Sequence, residues 1–346
     1  MAKQTIDLLK NAMERCRDIQ KKTGRNPYLT FCSMLYAYLT MKMRPSEYQS
    51  SSYYQLTSEQ RQSYIPSEDY YKMVLSVTTP KGEKILNDKR ETLKRLATLS
   101  GRQWLDLSHS SYEEFQNFVT RHRKIVIKAH YLRFGEQITV HENLIETVPN
   151  LRAFYEDLIE KKLYLIEEFV VQHKALSEIY PHCVNTIRLH TARCGSDVRI
   201  CLLPSLKVGS GGQTIDSGDL TYTVLLDEKG IACSDAIFNR TKEDHICFHP
   251  DTGVPFRSIH VPFWNEVEAL VKEAALRMEE SVFIGWDIAI SDRGPVIIEG
   301  NAVSGFVGTY QQFLLDLYGH GCREEIEEIF RFIKGDSNSC TTQPTS

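Results

Sequence analysis

The chain has 346 residues, 42% apolar and 25% charged, which is the composition of a folded protein long enough for two or three domains. A formal net charge of −4 supplies no broad field for a polyanion, so nucleic acid and anionic membranes are poor default partners. No run of eighteen apolar residues and no apolar leader core occurs, so neither a membrane span nor a secretory signal is expected and the cytoplasm is the expected compartment.

Taken in order, residues 4–45 carry apolar side chains at three- and four-residue intervals on either side of "GRNP", which predicts a helical hairpin. The polar and aromatic stretch that follows, with two prolines, predicts short helices and turns up to a boundary near 86. "NDKRETLKRLATL" and "SSYEEFQNFVTRH" read as capped amphipathic helices, "KIVIKA" as a β-branched strand, "NLIETVPNLRAFYEDLIEKK" as helix and "LYLIEEFVV" as strand. The last third opens with strands over "VNTIRLHTARCG", "VRICLLPSLKVG" and "TYTVLLDEKGIACSDAI", which predict an antiparallel sheet. "FWNEVEALVKEAALRMEES" is an amphipathic helix that packs on that sheet, and terminal helices precede a tail at 336–346 expected to be disordered. The nine cysteines are irregularly spaced with no C-x-x-C pair, and read as reduced packing residues.

The stretch "GWDIAISDRGPVIIEGN" (285–301) sets Asp287, Glu299 and Asn301 among Ile and Val. Strands alternate faces with a period of two, so Glu299 and Asn301 share a face. A five-residue hairpin loop over 291–295 would pair Ile290 with Val296 and set Asp287 opposite Glu299. Two carboxylates so placed repel unless a cation lies between them, and with a carboxamide oxygen they form the hard ligand set of Mg²⁺, with Mn²⁺ as the alternative ion. An exposed edge hairpin would need no ion at all.

An Asp about a dozen residues before a Glu-x-Asn resembles the magnesium site of the ATP-grasp superfamily. The stretches "ILNDKRETLKRL", "KIVIKA", "YLIEEFVVQH", "PHCVNTIRLHT", "HPDTGVPF" and "FIGWDIAISDRGPVIIEGN" are, in that order, similar to the sugar-transfer associated ATP-grasp family. The resemblance spans about residues 25–315 and implies an α+β ATP-grasp fold, two α+β subdomains clasping ATP, with an N-terminal helical region. The implied division is a helical region at 1–86, a lid subdomain and hinge at 87–172, and a C-terminal subdomain with the metal site at 173–335.

In that frame Lys89 and Lys128 touch the ATP phosphates, Glu167 or Glu168 accepts the adenine amino group, and the backbone from Phe169 through Val170 to Val171 meets the ring edge. His173 lies near the ribose. Arg188 steadies the γ-phosphate or an acyl phosphate, which a planar guanidinium suits. It is only imperfectly in phase with Asn185, so one of the two faces the site and the other caps a turn. Two departures stand out: the strand "IKAHYLRFGEQ" carries one glycine where relatives have several, and "SLKVGSGGQTIDSGDLTY" has Lys207 in place of an arginine while Asp216 remains.

The resemblance implies an ADP-forming carboxylate–amine ligase working through an acyl phosphate, with small-molecule acid and amine substrates such as an amino acid, a uronic acid or an amino sugar. Rival readings keep the nucleotide site: a small-molecule kinase, or an ATP-binding protein without turnover. No G-x-S-x-G, H-E-x-x-H or P-loop motif competes.

Overall fold

A computed structural model describes residues 2–129, 131, 138–212, 220–239, 245–305 and 307–335, with side chains from Leu9 onward. Five helices come first: α1 (Ala2–Thr23), α2 (Pro27–Met41), α3 (Pro45–Ser50), α4 (Ser58–Ser63) and α5 (Ser67–Val77). Next are α6 (Pro80–Asn87), α7 (Lys89–Leu96), β1 (Trp104–Asp106), α8 (Tyr112–Arg121), β2 (Lys124–Lys128) and β3 (Ile138–Glu142). Then come α9 (Leu144–Thr147), α10 (Leu151–Glu160), β4 (Leu165–Glu168), α11 (Lys174–Ser177), β5 (Thr186–Cys194) and β6 (Asp197–Val208). The chain continues through β7 (Tyr222–Leu225), β8 (Ala236–Phe238), β9 (His245–Ile246), α12 (Trp264–Arg277), β10 (Phe283–Ser291) and β11 (Gly294–Asn301), and closes with α13 (Val307–Tyr318) and α14 (Arg323–Lys334).

The chain divides into two compact units. The first takes residues up to Val77 together with those from Ser304 onward, and is helical. Its hairpin forms as the sequence predicts: Asn26 caps α2 by accepting from Tyr28 and Leu29 N–H, and Pro27 follows where its missing N–H costs nothing. Cys16, Ile19, Met34, Tyr48, Tyr53 and Tyr64 build its core. Gln311 on α13 clasps Ile65 by accepting from its N–H at 3.0 Å and donating to its C=O at 2.9 Å.

The second unit, Thr78–Arg240 with His245–Val303, holds two antiparallel sheets. A four-stranded sheet has the order β1-β4-β2-β3, with β3 and β4 both antiparallel to the β2 strand between them. Phe115, Phe118 and Val119 of α8, and Leu158 of α10, pack on Ile125, Ile127 and Ile166 of this sheet. Helix α8 starts at the capping box the sequence announces, Ser111 with Glu114.

A seven-stranded sheet has the order β11-β10-β5-β6-β7-β8-β9. One face is apolar because Ile187, Leu189, Leu206, Val224, Trp286 and Ile288 alternate inward, and α12 covers it with Val267, Val271, Ala274 and Ala275. Each Val, Leu or Ile among them contributes about 1.5–3 kcal/mol when fully buried. The opposite face carries the polar residues taken up below. Among the described residues, no helix is long and apolar enough to cross a membrane.

Candidate functional site

Arg188 on β5, Asp287 on β10 and Glu299 on β11 are direct cross-strand neighbours and form one row across three strands. The expected Asp287–Glu299 pairing is present, but it arises differently. The β10–β11 turn is the two-residue pair Asp292–Arg293, since Ser291 faces Gly294 and Ile290 faces Pro295. A hairpin so tight would set Asp287 against Ile298. A β-bulge intervenes between Ile297, which faces Ile288, and Glu299, so Ile298 is the extra residue that restores the pair.

Asp287 is buried, at 6% exposure. Arg188 grips it in a fork, Nε to Oδ1 at 2.6 Å and a terminal nitrogen to Oδ2 at 2.8 Å, and Lys207 Nζ stands 4.0 Å from Oδ1. Burial pushes the Asp287 carboxyl up, and the Arg188 and Lys207 charges outweigh that push and hold it below the ordinary range. Glu299 comes within hydrogen-bonding reach of Asp287, accepts from Asn301 Nδ2 at 3.3 Å, and lies 3.9 Å from Lys89 Nζ. Asp88 caps α7 and so sets Lys89 at the first helical position, where its side chain is partly buried. Desolvation lowers the Lys89 pKa, Glu299 opposes the shift, and Lys128 adds to it.

Lys128 ends β2, with Nζ 2.5 Å from Glu167 Oε2. Glu167 Oε1 accepts from Arg102 at 2.7 Å. Burial pushes the Glu167 carboxyl up, but the two cations bring it down to about 2. Glu168, one position on, faces the other way and accepts from Gln103 N–H at 3.1 Å and Arg293 at 2.7 Å. The adenine role expected for Glu167 or Glu168 therefore meets two carboxylates that already have donors.

Phe169 and Val170 leave β4, Phe169 lying beneath Lys124 Nζ at 4.0 Å, and Val171 is 69% exposed. His173 is the N-cap of α11, its Nδ1 accepting from Ala175 N–H at 3.1 Å. Asn185 turns away from Arg188 and, fully buried, donates to Leu176 and Tyr180 carbonyls and accepts from Gly209 N–H. Asp216 and the glycine of the β2–β3 connection lie outside the described residues.

Arg102 escaped the sequence reading. It follows Gly101, whose φ of +73° and whose position against Pro295 and Val296, where a Cβ would meet Pro295 O at 3.0 Å, let this loop close on β11. The signal was a lone Arg after Ser-Gly, too common to single out.

These ion pairs together involve five cations (Arg102, Lys89, Lys128, Arg188, Lys207) and three carboxylates (Glu167, Asp287, Glu299), an excess of two positive charges. Among the described residues, no three His, Cys, Asp or Glu side chains cluster for a metal. The expected set is two carboxylates and a carboxamide, and those residues do fit Mg²⁺: all are hard oxygen donors, and two carboxyls this close share either a proton or a cation.

A model of the sugar-transfer associated ATP-grasp family matches residues 118–317. The chain belongs to this family. Its α+β architecture is therefore the ATP-grasp fold, preceded by a helical region. Among solved structures it is similar to D-alanine–D-alanine ligase from Bacillus anthracis, at 12% identity, 74% of this chain, 71% of that chain and a TM-score of 0.42. It is likewise similar to phosphoribosylamine–glycine ligase from Thermotoga maritima, at 13% identity, 78% of this chain, 61% of that chain and a TM-score of 0.47. No curated protein sequence matches the chain. The family match begins at 118, so Lys89 and Arg102 rest on the geometry of this ATP-grasp protein alone.

Proposed function

We propose that this ATP-grasp protein is an ADP-forming carboxylate–amine ligase that activates its acid as an acyl phosphate. The observation that carries the proposal is the cross-strand pair of Asp287 and Glu299, with Lys207 Nζ 4.0 Å from the first and Lys89 Nζ 3.9 Å from the second. Two carboxylates set opposite each other repel, and a divalent ion carrying a triphosphate would satisfy the carboxylates and the lysines together.

Mg²⁺, or Mn²⁺ in its place, held by Asp287, Glu299 and the Asn301 carboxamide would supply charge neutralisation on the phosphoryl group being transferred. Lys89 and Lys128 hold phosphate oxygens as compact cations, with Glu167 fixing the Lys128 ammonium. The backbone of Phe169, Val170 and Val171 receives the adenine edge, with Glu168 beside it and His173 toward the ribose. A carboxylate oxygen of the acid attacks the γ-phosphorus, and the bond to the bridging oxygen breaks so that ADP leaves with the electron pair. Arg188, whose planar fork matches phosphate as well as carboxylate, steadies the acyl phosphate. Lys207 lies on the acid side and keeps its carboxylate oriented. The amine then attacks the acyl carbon, phosphate departs and the nitrogen gives up a proton. The protein's part is positioning and charge balance, which phosphoryl transfer chiefly requires.

The test is an ADP-release screen with pooled amino acids, amino sugars and uronic acids, run beside Glu299→Gln. Amide product with ADP from the wild type, and none from the variant, is expected. A phosphorylated product without amide would make the protein a kinase, and ADP release that survives Glu299→Gln would remove the metal assignment.

A further inference from the structure

We infer that Arg102 is a positioning residue that sets the metal side and the phosphate side of the site with one guanidinium. This role rests on the nucleotide reading above. Arg102 is buried at 8% exposure and donates to the carbonyl oxygens of Ile297 and Ile298, the latter at 3.2 Å. These residues flank the step where the β10–β11 ladder loses its register. A bulge turns backbone groups out of the ladder, and a buried carbonyl without a donor is costly. Arg102 supplies that donor from outside the sheet, so the bulge that brings Glu299 opposite Asp287 is held by a residue that touches neither.

The same guanidinium donates to Glu167 Oε1 at 2.7 Å, while Glu167 Oε2 takes the Lys128 ammonium at 2.5 Å. Without Arg102, Glu167 would keep one donor and a buried uncompensated oxygen, and Lys128 would lose its fixed partner geometry. The guanidinium thus joins β11 of the seven-stranded sheet to β4 of the four-stranded one. Two features fit the role: only a planar fork reaches three oxygens on two strands, and Gly101 alone permits the close approach to β11. Among the described residues, Nε of Arg102 is buried with no hydrogen-bond partner, a cost offset by the contacts at the fork.

The experiment uses the purified full chain with Arg102→Lys and Glu167→Gln, reading ATP binding by calorimetry across a Mg²⁺ series and folding by circular dichroism. Arg102→Lys keeps the charge but reaches one strand at a time. Displaced outer partners of a metal site typically cost 10–100-fold in affinity, so the Mg²⁺ concentration for half-maximal ATP binding should rise about tenfold or more in the folded variant. Glu167→Gln should weaken ATP binding in Mg²⁺-free buffer while moving the Mg²⁺ midpoint by less than threefold. Wild-type ATP binding whose Mg²⁺ midpoint Arg102→Lys leaves within twofold overturns the positioning role alone. A wild type that binds no ATP at any Mg²⁺ concentration overturns the nucleotide reading and this role together.

Discussion

Arg188 and Asp287 face each other across β5 and β10 and close a two-point ion pair, 2.6 and 2.8 Å, with both side chains about nine-tenths buried. Such a pair is held at the cost of desolvating two ions, and its mutual attraction offsets that cost only while both partners remain. Under the proposed metal site, Asp287 would serve both this guanidinium and the cation. Arg188 therefore keeps the buried carboxylate ionised when nothing else is bound.

Removing one partner should accordingly be worse than removing both. Arg188→Met leaves Asp287 buried beside Glu299 with Lys207 at 4.0 Å as its remaining cation, and is expected to cost about 3–5 kcal/mol. The double variant Arg188→Met/Asp287→Leu should recover at least half of that loss. Urea midpoints for the four members of the cycle measure it, and an additive outcome would contradict the pairing.

The Glu167 carboxyl makes a pH prediction with a definite sign. Its folded-state pKa is depressed from the ordinary 4.5 to about 2, chiefly because Arg102 and Lys128 overcome burial, so the stability it adds is complete above pH 4.5 and is lost as pH falls toward 2. The stability advantage of wild type over Glu167→Gln should shrink through that window and stay level above it. Chemical denaturation from pH 7 to pH 2.5 would detect a difference that does not change.

Much of this architecture was legible in the residues, and the misses share a cause. The helical hairpin of α1 and α2, the capped helices α7 and α8, and the strands β5 to β8, β10 and β11 announce themselves because caps and alternation are local signals, whereas the two-residue β9 is too short to do so. The Asp287–Glu299 pairing was read correctly through a five-residue loop, whereas a two-residue turn and an extra Ile298 produce it. A bulge carries no local signature when the inserted residue is one more Ile. Arg102 was invisible because its burial depends on where Gly101 packs, and Glu167 and Glu168 could not be told apart because strand alternation assigns opposite faces without saying which is inward.

The glycines at 82 and 308 should respond oppositely to alanine. Both lie in the first turns of their helices, where Ala is favoured over Gly by up to about 1 kcal/mol. A Cβ at Gly308 meets nothing within 4 Å among the described residues, so Gly308→Ala should stabilise the helical unit. A Cβ on Gly82 would strike Glu280 O and Ser281 Oγ, and overpacking of this kind typically costs 1–3 kcal/mol, a net loss of up to about 2 kcal/mol after the helix gain. Thermal midpoints of the two variants, measured side by side, should move in opposite directions.

Lys89 should separate binding from folding most cleanly. Desolvation lowers its pKa, Glu299 at 3.9 Å opposes the shift and Lys128 adds to it. Lys89→Met keeps the apolar stem and discards a desolvated ammonium, so the thermal midpoint is expected to move little. A hydrogen bond to a charged group contributes roughly 1.5–3 kcal/mol, so loss of one phosphate contact should weaken ATP binding about 10–100-fold. Calorimetry with ATP and Mg²⁺ reads one quantity and a thermal melt the other. A variant that loses stability yet binds ATP as the wild type does would make Lys89 a structural partner of Glu299, and the phosphate site would have to be rebuilt around Lys128 and Arg188.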